Sequence, residues 1–202
     1  MNIAPFVSWP GGRWSRGRDG PPRACPGGGP SAGGCRWTAA VRSSGPASQG
    51  AGAPSVVPAG ATSAWRDTYR DLLRPETIDW FIERAYSEDR VGLRIERHET
   101  WVAGINGEVA AFAETAIEPD RVTLVAIYAD PAQVGLGLGS ALLDAIVTAH
   151  PDLPIAADVL AGNQVGESFY AARGFEPREM VDEQLGEELV QERRWWRPAA
   201  PA

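Results

Sequence analysis

Val134-Gly135-Leu136-Gly137-Leu138-Gly139-Ser140 lies between an apolar strand and an amphipathic helix, and its three alternating glycines organise the reading of the whole chain. Upstream, Val122-Thr123-Leu124-Val125-Ala126-Ile127-Tyr128-Ala129 is apolar and β-branched until Asp130-Pro131 breaks it. Downstream, Leu138, Leu142, Ile146 and Ala149 recur at helical spacing. Glycines at alternate positions let the backbone turn sharply and bring several N–H groups to a helix N-terminus. Unpaired donors and the helix macrodipole there favour an anion such as a pyrophosphate.

Spacing narrows the kind of loop. A Walker A loop needs Gly-Lys-Ser/Thr, and the chain contains no lysine. A dinucleotide fingerprint needs Gly-x-Gly-x-x-Gly, but Ser140 or Leu142 falls in its last position. Pro131-x-x-x-Gly135-x-Gly137-Leu138-Gly139-Ser140-x-Leu142-Leu143 instead resembles the acyl-CoA loop of the GNAT superfamily of N-acyltransferases. The plain alternative is a glycine-rich strand-to-helix connection with no ligand. A second motif strengthens the resemblance. The run from Asn163 to Phe175 is similar to the superfamily's Asn-x-x-Ala-x-x-Phe-Tyr-x-x-x-Gly-Phe, with Gly166 in the Ala position. Asn163 suits an N-cap and Gly174 a left-handed terminator, so the run reads as one short helix.

Composition divides the chain. Residues 1–60 hold 13 of the 23 glycines and 9 of the 17 prolines. Such a stretch buries too little apolar surface to offset its ordering entropy. Residues 1–60 are therefore expected to be disordered, and residues 61–198 to form the N-acetyltransferase domain. Six arginines and one aspartate give the first 48 residues a charge of +5, leaving −12 for the remainder of a chain of net −7. An acidic domain argues against nucleic acid as a partner and is compatible with a cationic amine. Cys25 and Cys35 are too few for a disulfide framework and too isolated for a zinc site. Neither a membrane-spanning run nor a signal peptide is apparent, so the chain reads as soluble and cytoplasmic, with no membrane partner.

Ser63 is expected to cap a helix that runs to Leu73, where Pro75 stops it and opens a second with Ile78, Phe81, Ile82 and Ala85 on one face. Residues 99–104 and 109–116 read as strands joined at Asn106-Gly107. Strands over 121–129, 153–160, 175–182 and 189–197 alternate with the two motif helices before the last two close the chain. The order matches the superfamily's α/β (α+β) fold: a mixed, mainly antiparallel central sheet with a parallel splayed pair and flanking helices. The family also opens with a strand, for which Thr38-Ala39-Ala40-Val41-Arg42 is the best candidate.

Resemblance then places chemistry on residues. Pantetheine would lie along Ile127, Tyr128 and Ala129, making strand-like hydrogen bonds. Pyrophosphate would rest on the amides of Val134, Gly135, Gly137 and Gly139, with Ser140 adding an amide or hydroxyl. Val134 departs from the family's usual Gln or Arg. Asn163 matches a cofactor-contacting position, a role compatible with its capping. Tyr170 matches the usual general acid. Many relatives carry a Glu at the start of the strand before the loop, where this chain has Thr123. Glu114 or Asp158 is then the candidate base, each balanced against a solvent-facing position on its strand. Trp65 and Tyr69, with Trp101 and Trp195, are candidates for binding the amine by cation–π contact or for the core. His98 and His150 read as surface residues at element ends.

The resemblance implies an N-acetyltransferase that moves an acetyl group from acetyl-CoA, its co-substrate, to a primary amine by direct transfer in a ternary complex, without a metal. The acceptor is a small-molecule amine or a peptide N-terminus, and a homodimer is left open. The alternative is a non-catalytic acyl-CoA-binding or regulatory module of the same fold. A nucleotide-binding protein comes third.

Overall fold

A computed structural model describes residues 2–3, 37–43, 61–86, 98–105 and 108–200. Its strands are β1 (Asn2–Ile3), β2 (Trp37–Ser43), β3 (Glu99–Ile105), β4 (Glu108–Ile117), β5 (Val122–Ala129), β6 (Ile155–Leu160), β7 (Glu176–Leu185) and β8 (Glu188–Arg197). Its helices are α1 (Ala61–Tyr69), α2 (Pro75–Tyr86), α3 (Leu138–Ala149) and α4 (Gln164–Ala171). The strands form one mixed sheet in the order β2-β3-β4-β5-β6-β8-β7, and β1 pairs with β5 off that path. Every neighbouring pair is antiparallel except β5–β6. This is the fold expected from the sequence.

The single parallel pair matters most. β5 pairs with β6 only at Val122↔Ile155 and Thr123↔Ala156, then the two strands part. On its other edge β5 pairs with β4 from Val122 to Ala129. Residues 124–129 therefore present a free edge toward β6, of the kind that accepts an added strand. Asn2 and Ile3 take part of it, opposite Tyr128 and Ile127.

Strand alternation assigns each side chain to one of two cores. Ala111, Ala113, Leu124, Ile127, Val159 and Trp195 pack with Leu142 and Ile146 of α3 and Phe169 of α4. On the opposite face, Leu160, Leu185 and Val190 pack with Trp65, Tyr69, Ile78 and Phe81 of α1 and α2. Pro75 begins α2, where its missing N–H costs nothing. α1 ends at Tyr69, earlier than its sequence suggests, because the amides of Leu72 and Leu73 both turn back to the Tyr69 carbonyl before Pro75.

The Thr38–Arg42 stretch considered for an opening strand lies within β2, which flanks β3 with Arg42 opposite Trp101. The rest of the expectation for residues 1–60 lies mainly outside the described residues, as do Asn106 and Gly107, although Ile105 pairs with Glu108 across them. No helix among the described residues is long and apolar enough to cross a membrane.

Candidate functional site

Where β5 leaves β6, the chain turns through Asp130 into the glycine loop. Asp130 accepts a hydrogen bond from the Ala132 amide at 2.8 Å and caps a short 3-10 turn over Pro131–Gln133. Gly135 and Gly137 then take φ of +89° and +81°, a left-handed conformation that side chains with a Cβ rarely adopt. Gly137 sits at the cap of α3 with no side-chain cap, and the first intrahelical bond is Ala141 N to Gly137 O at 3.0 Å. The amides of Leu138, Gly139 and Ser140 thus stand unpaired at the helix mouth, beside those of Gly135 and Gly137. A cavity of about 270 Å³ opens on them.

Ile127, Tyr128, Ala129, Val134, Gly135, Gly137, Gly139 and Ser140 all line that cavity, so the structure gathers eight of the nine residues the motifs single out for a cofactor. Asn163 is not among them. Its Oδ1 accepts from the Gly166 amide at 3.1 Å and its Nδ2 donates to the Tyr69 hydroxyl at 3.4 Å, so it caps α4 and ties that helix to α1. Gly166, standing for the motif's alanine, has a physical cause: a Cβ there would meet Val159 Cγ1 at 2.9 Å and the Asn163 side chain at 3.0 Å.

Sequence reasoning missed Arg173. It lines the cavity with its guanidinium 3.8 Å above the Phe169 ring. Nη1 donates to the Phe169 carbonyl at 2.8 Å and Nη2 to the Ser140 hydroxyl, whereas Nε is buried without a partner. Burial lowers its pKa, with Asp144 opposing, yet a guanidinium stays charged. A cation therefore stands beside the loop although Val134 carries none. The signal was inside the quoted motif, in a position read as a spacer between Tyr170 and Gly174.

The candidate acid and bases lie deeper. Tyr170 is fully buried, its ring edge-on to Phe169 and Phe175, and its hydroxyl has no hydrogen-bond partner. Burial first, then Tyr69 and Asp158, raise its pKa well above that of a free phenol, so it holds its proton. Tyr128 likewise has a buried hydroxyl without a partner and a raised pKa, from burial, then Asp130 and Tyr86.

Neither candidate base faces solvent. Glu114 on β4 is fully buried, with Oε1 3.3 Å from His98 Nδ1. Asp158 on β6 accepts both arms of Arg194, from Nε at 2.8 Å and Nη2 at 2.6 Å. That fork raises the Arg194 pKa and occupies the Asp158 carboxylate. At least two strand spacings, about 10 Å, separate β4 from β6, and more where β5 and β6 have parted, so the two acids are not brought together. Thr123, in the family's Glu position, donates to Glu118 at 2.5 Å, and Glu118 also pairs with Arg121. A carboxylate thus stands beside Thr123, carried by the preceding turn.

Of the two readings open for the aromatics the structure shows core packing, and the surface reading of the histidines needs correction. Trp65 and Tyr69 are buried, with Trp65 stacked on Phe81 at 3.9 Å, which makes them α1–α2 core. Trp101 and Trp195 pack on the α3 face, away from the first helices, because their strand positions alternate with the residues α1 and α2 cover. His98 is only 8% exposed and faces Glu114, while His150 Nε2 lies 2.7 Å from Glu99 Oε2; both are held by carboxylates, not free at the surface.

Known proteins share this fold. The chain resembles a GCN5-related N-acetyltransferase from Rhodopseudomonas palustris at 20% identity, covering 68% of this chain and 84% of that one with a TM-score of 0.57. It also resembles the PaiA N-acetyltransferase from Thermoplasma acidophilum, solved with coenzyme A, at 24% identity, covering 65% and 86% with a TM-score of 0.53. These likenesses show the fold. No curated protein matches the chain. The family model for the acetyltransferase (GNAT) family matches residues 63–175, more than half of the chain and inclusive of the loop, the splayed strands and Tyr170, and the chain therefore belongs to the GNAT acetyltransferases.

Proposed function

We propose that the protein is an acetyl-CoA-dependent N-acetyltransferase that transfers directly to a primary amine, a small molecule or a peptide N-terminus, in a ternary complex. The observation that carries this is the parting of β5 from β6 at a loop whose unpaired amides and Arg173 converge on one cavity. That donor set fits a pyrophosphate: backbone N–H groups at a helix mouth, the Ser140 hydroxyl and a guanidinium. The edge of Ile127, Tyr128 and Ala129 turned toward β6, part of which Asn2 and Ile3 occupy, fits the amide-bearing arm of pantetheine by strand-like pairing. Acetyl-CoA supplies the activated acyl thioester. Tyr170, protonated, buried and without a hydrogen-bond acceptor, is suited to give its proton to the departing thiolate.

Thiol release from acetyl-CoA across an amine panel tests the activity, and Tyr170→Phe tests the acid. The substitution keeps the ring and deletes a hydroxyl that is buried without a partner, so melting temperature should stay level or rise. Turnover should fall by about 10²–10⁴-fold with acetyl-CoA affinity nearly preserved. Wild type that binds acetyl-CoA but acetylates no amine would support the non-catalytic alternative. A Phe variant as active as wild type would remove Tyr170 from the mechanism.

A further inference from the structure

Among the described residues Arg173 is the one charged group lining the cavity, and its charge is unbalanced there. It forms no ion pair with a described carboxylate; Asp144 acts on it only through the electrostatic field. The loop brings no cation of its own, since Pro131 to Leu138 contains no basic residue. A partly buried cation without a counter-ion is costly until an anion joins it.

The guanidinium is held against the loop through Phe169. A Cβ on Gly139 would lie 3.1 Å from the Phe169 ring, so its absence lets the ring pack directly on the first turn of α3. Arg173, one helical turn later, stacks over that ring at 3.8 Å. Nη1 satisfies the Phe169 carbonyl near the C-terminus of α4, and Nη2 donates to the Ser140 hydroxyl. Stacking and capping alone would explain a structural arginine, but they use only part of the fork. Nε is buried without a partner, and each Nη nitrogen keeps a further N–H to give.

The bond to Ser140 also sets the direction of the serine. A hydroxyl has one proton and two lone pairs, so an oxygen that accepts from Arg173 turns its own proton elsewhere. That proton has no acceptor among the described residues. Ser140 is the third residue of α3 and lines the cavity, so its amide belongs to the same unpaired first turn.

We propose that Arg173 and Ser140 act as one clamp on the pyrophosphate of the acyl donor, Arg173 supplying the charge and turning the Ser140 hydroxyl proton toward the phosphate oxygens. The clamp rests on the acetyl-CoA reading above and adds a selectivity to it. Donors that carry a pyrophosphate are favoured over those that end in pantetheine.

Calorimetry on the full-length protein with CoA, 3′-dephospho-CoA, which keeps the pyrophosphate, and pantetheine, which lacks it, tests the clamp. Arg173→Met leaves an unbranched stem on the Phe169 ring and removes the charge and every donor. It should weaken CoA and 3′-dephospho-CoA alike by about 10–100-fold, the effect of losing a charged hydrogen bond, with pantetheine affinity nearly unchanged. Arg173→Lys keeps the charge without the fork and should recover part of the loss; it also keeps the test open should the Met variant fail to fold. Ser140→Ala combined with Arg173→Met should cost less binding free energy than the two single changes added together. Equal losses for pantetheine and CoA would show that Arg173 only braces α4. A loss for CoA but not for 3′-dephospho-CoA would assign Arg173 to the 3′-phosphate and overturn the clamp, and additive losses would overturn the coupling to Ser140. Tight CoA binding by wild type and by both Arg173 variants would overturn the clamp alone. A wild type that binds none of the three would overturn the acetyl-CoA reading and the clamp together.

Discussion

Individual side chains at this site are costly to the fold, and the cost is visible as unpartnered polar atoms. Tyr128, Tyr170 and Arg173 each bury a polar atom with no hydrogen-bond partner; outside the cavity lining, on β8, Glu192 is also buried. Such groups are rare in native interiors and collect where a ligand or a proton transfer completes them. Glu192 gives this cost a pH dependence. Its folded pKa, pushed up to about 8 by burial and then by Asp158 and Glu183, lies above that of a carboxyl in an unfolded chain. Its contribution to stability is therefore fully present below the unfolded pKa and is lost as pH rises through about 8. Between those limits the loss approaches about 1.4 kcal/mol per pH unit, the value for one proton. Glu192→Gln removes the titrating group. Its melting temperature should exceed that of wild type at pH 8 by a margin that shrinks toward pH 5. Parallel melting curves for the two proteins across this range would show that Glu192 does not carry a raised pKa.

At the scale of elements, the two motifs were legible because they are local: each is a loop or cap plus one helix, and its glycines and N-cap declare its geometry. The β5–β6 divergence was readable only by resemblance, since no feature of Val122–Ala129 or Ile155–Leu160 states where pairing stops. Glu192 was illegible for a related reason. Both faces of β8 carry charge in Leu189-Val190-Gln191-Glu192-Arg193-Arg194, so period-two alternation does not tell the buried face from the open one. From the sequence Trp101 and Trp195 stay open between amine binding and the core for the same reason: aromatic character marks burial, but the choice of core needs the register. Gly166 shows an element corrected by its neighbour. Alanine there would gain about 1 kcal/mol in helix propensity. It would also press a Cβ to 2.9 Å from Val159 Cγ1, a stiff β-branched contact, and crowd the Asn163 cap. Overpacking of that kind costs about 1–3 kcal/mol, so Gly166→Ala should lower stability despite the better helix former. Gly166→Ala paired with Val159→Ala should recover part of the loss, and a single variant that melts above wild type would show the contact relaxes freely.

For the molecule as a whole, the consequential contact joins its first described residues to the middle of the sheet. β4 fills one edge of β5, so Asn2 and Ile3 pair with Tyr128 and Ile127 on the other, inside the opening toward β6. Tyr128 and Ile127 also line the proposed cofactor cavity. One strand edge cannot pair with β1 and with pantetheine at once, so the two compete under the acetyl-CoA reading. A ligand that must displace a segment sees its affinity reduced by the fraction of molecules already open. Deleting residues 1–36 removes β1 and leaves β2 on β3, so acetyl-CoA should bind more tightly while melting temperature changes little. Deleting residues 1–60 also strips β2, uncovers the edge of β3 and should lower the melting temperature. Calorimetry on full-length protein and both truncations separates the two effects. Equal acetyl-CoA affinity in the full-length and 37–202 proteins would show that β1 does not contend for the edge. A lower affinity in the shorter protein would make β1 part of the binding site.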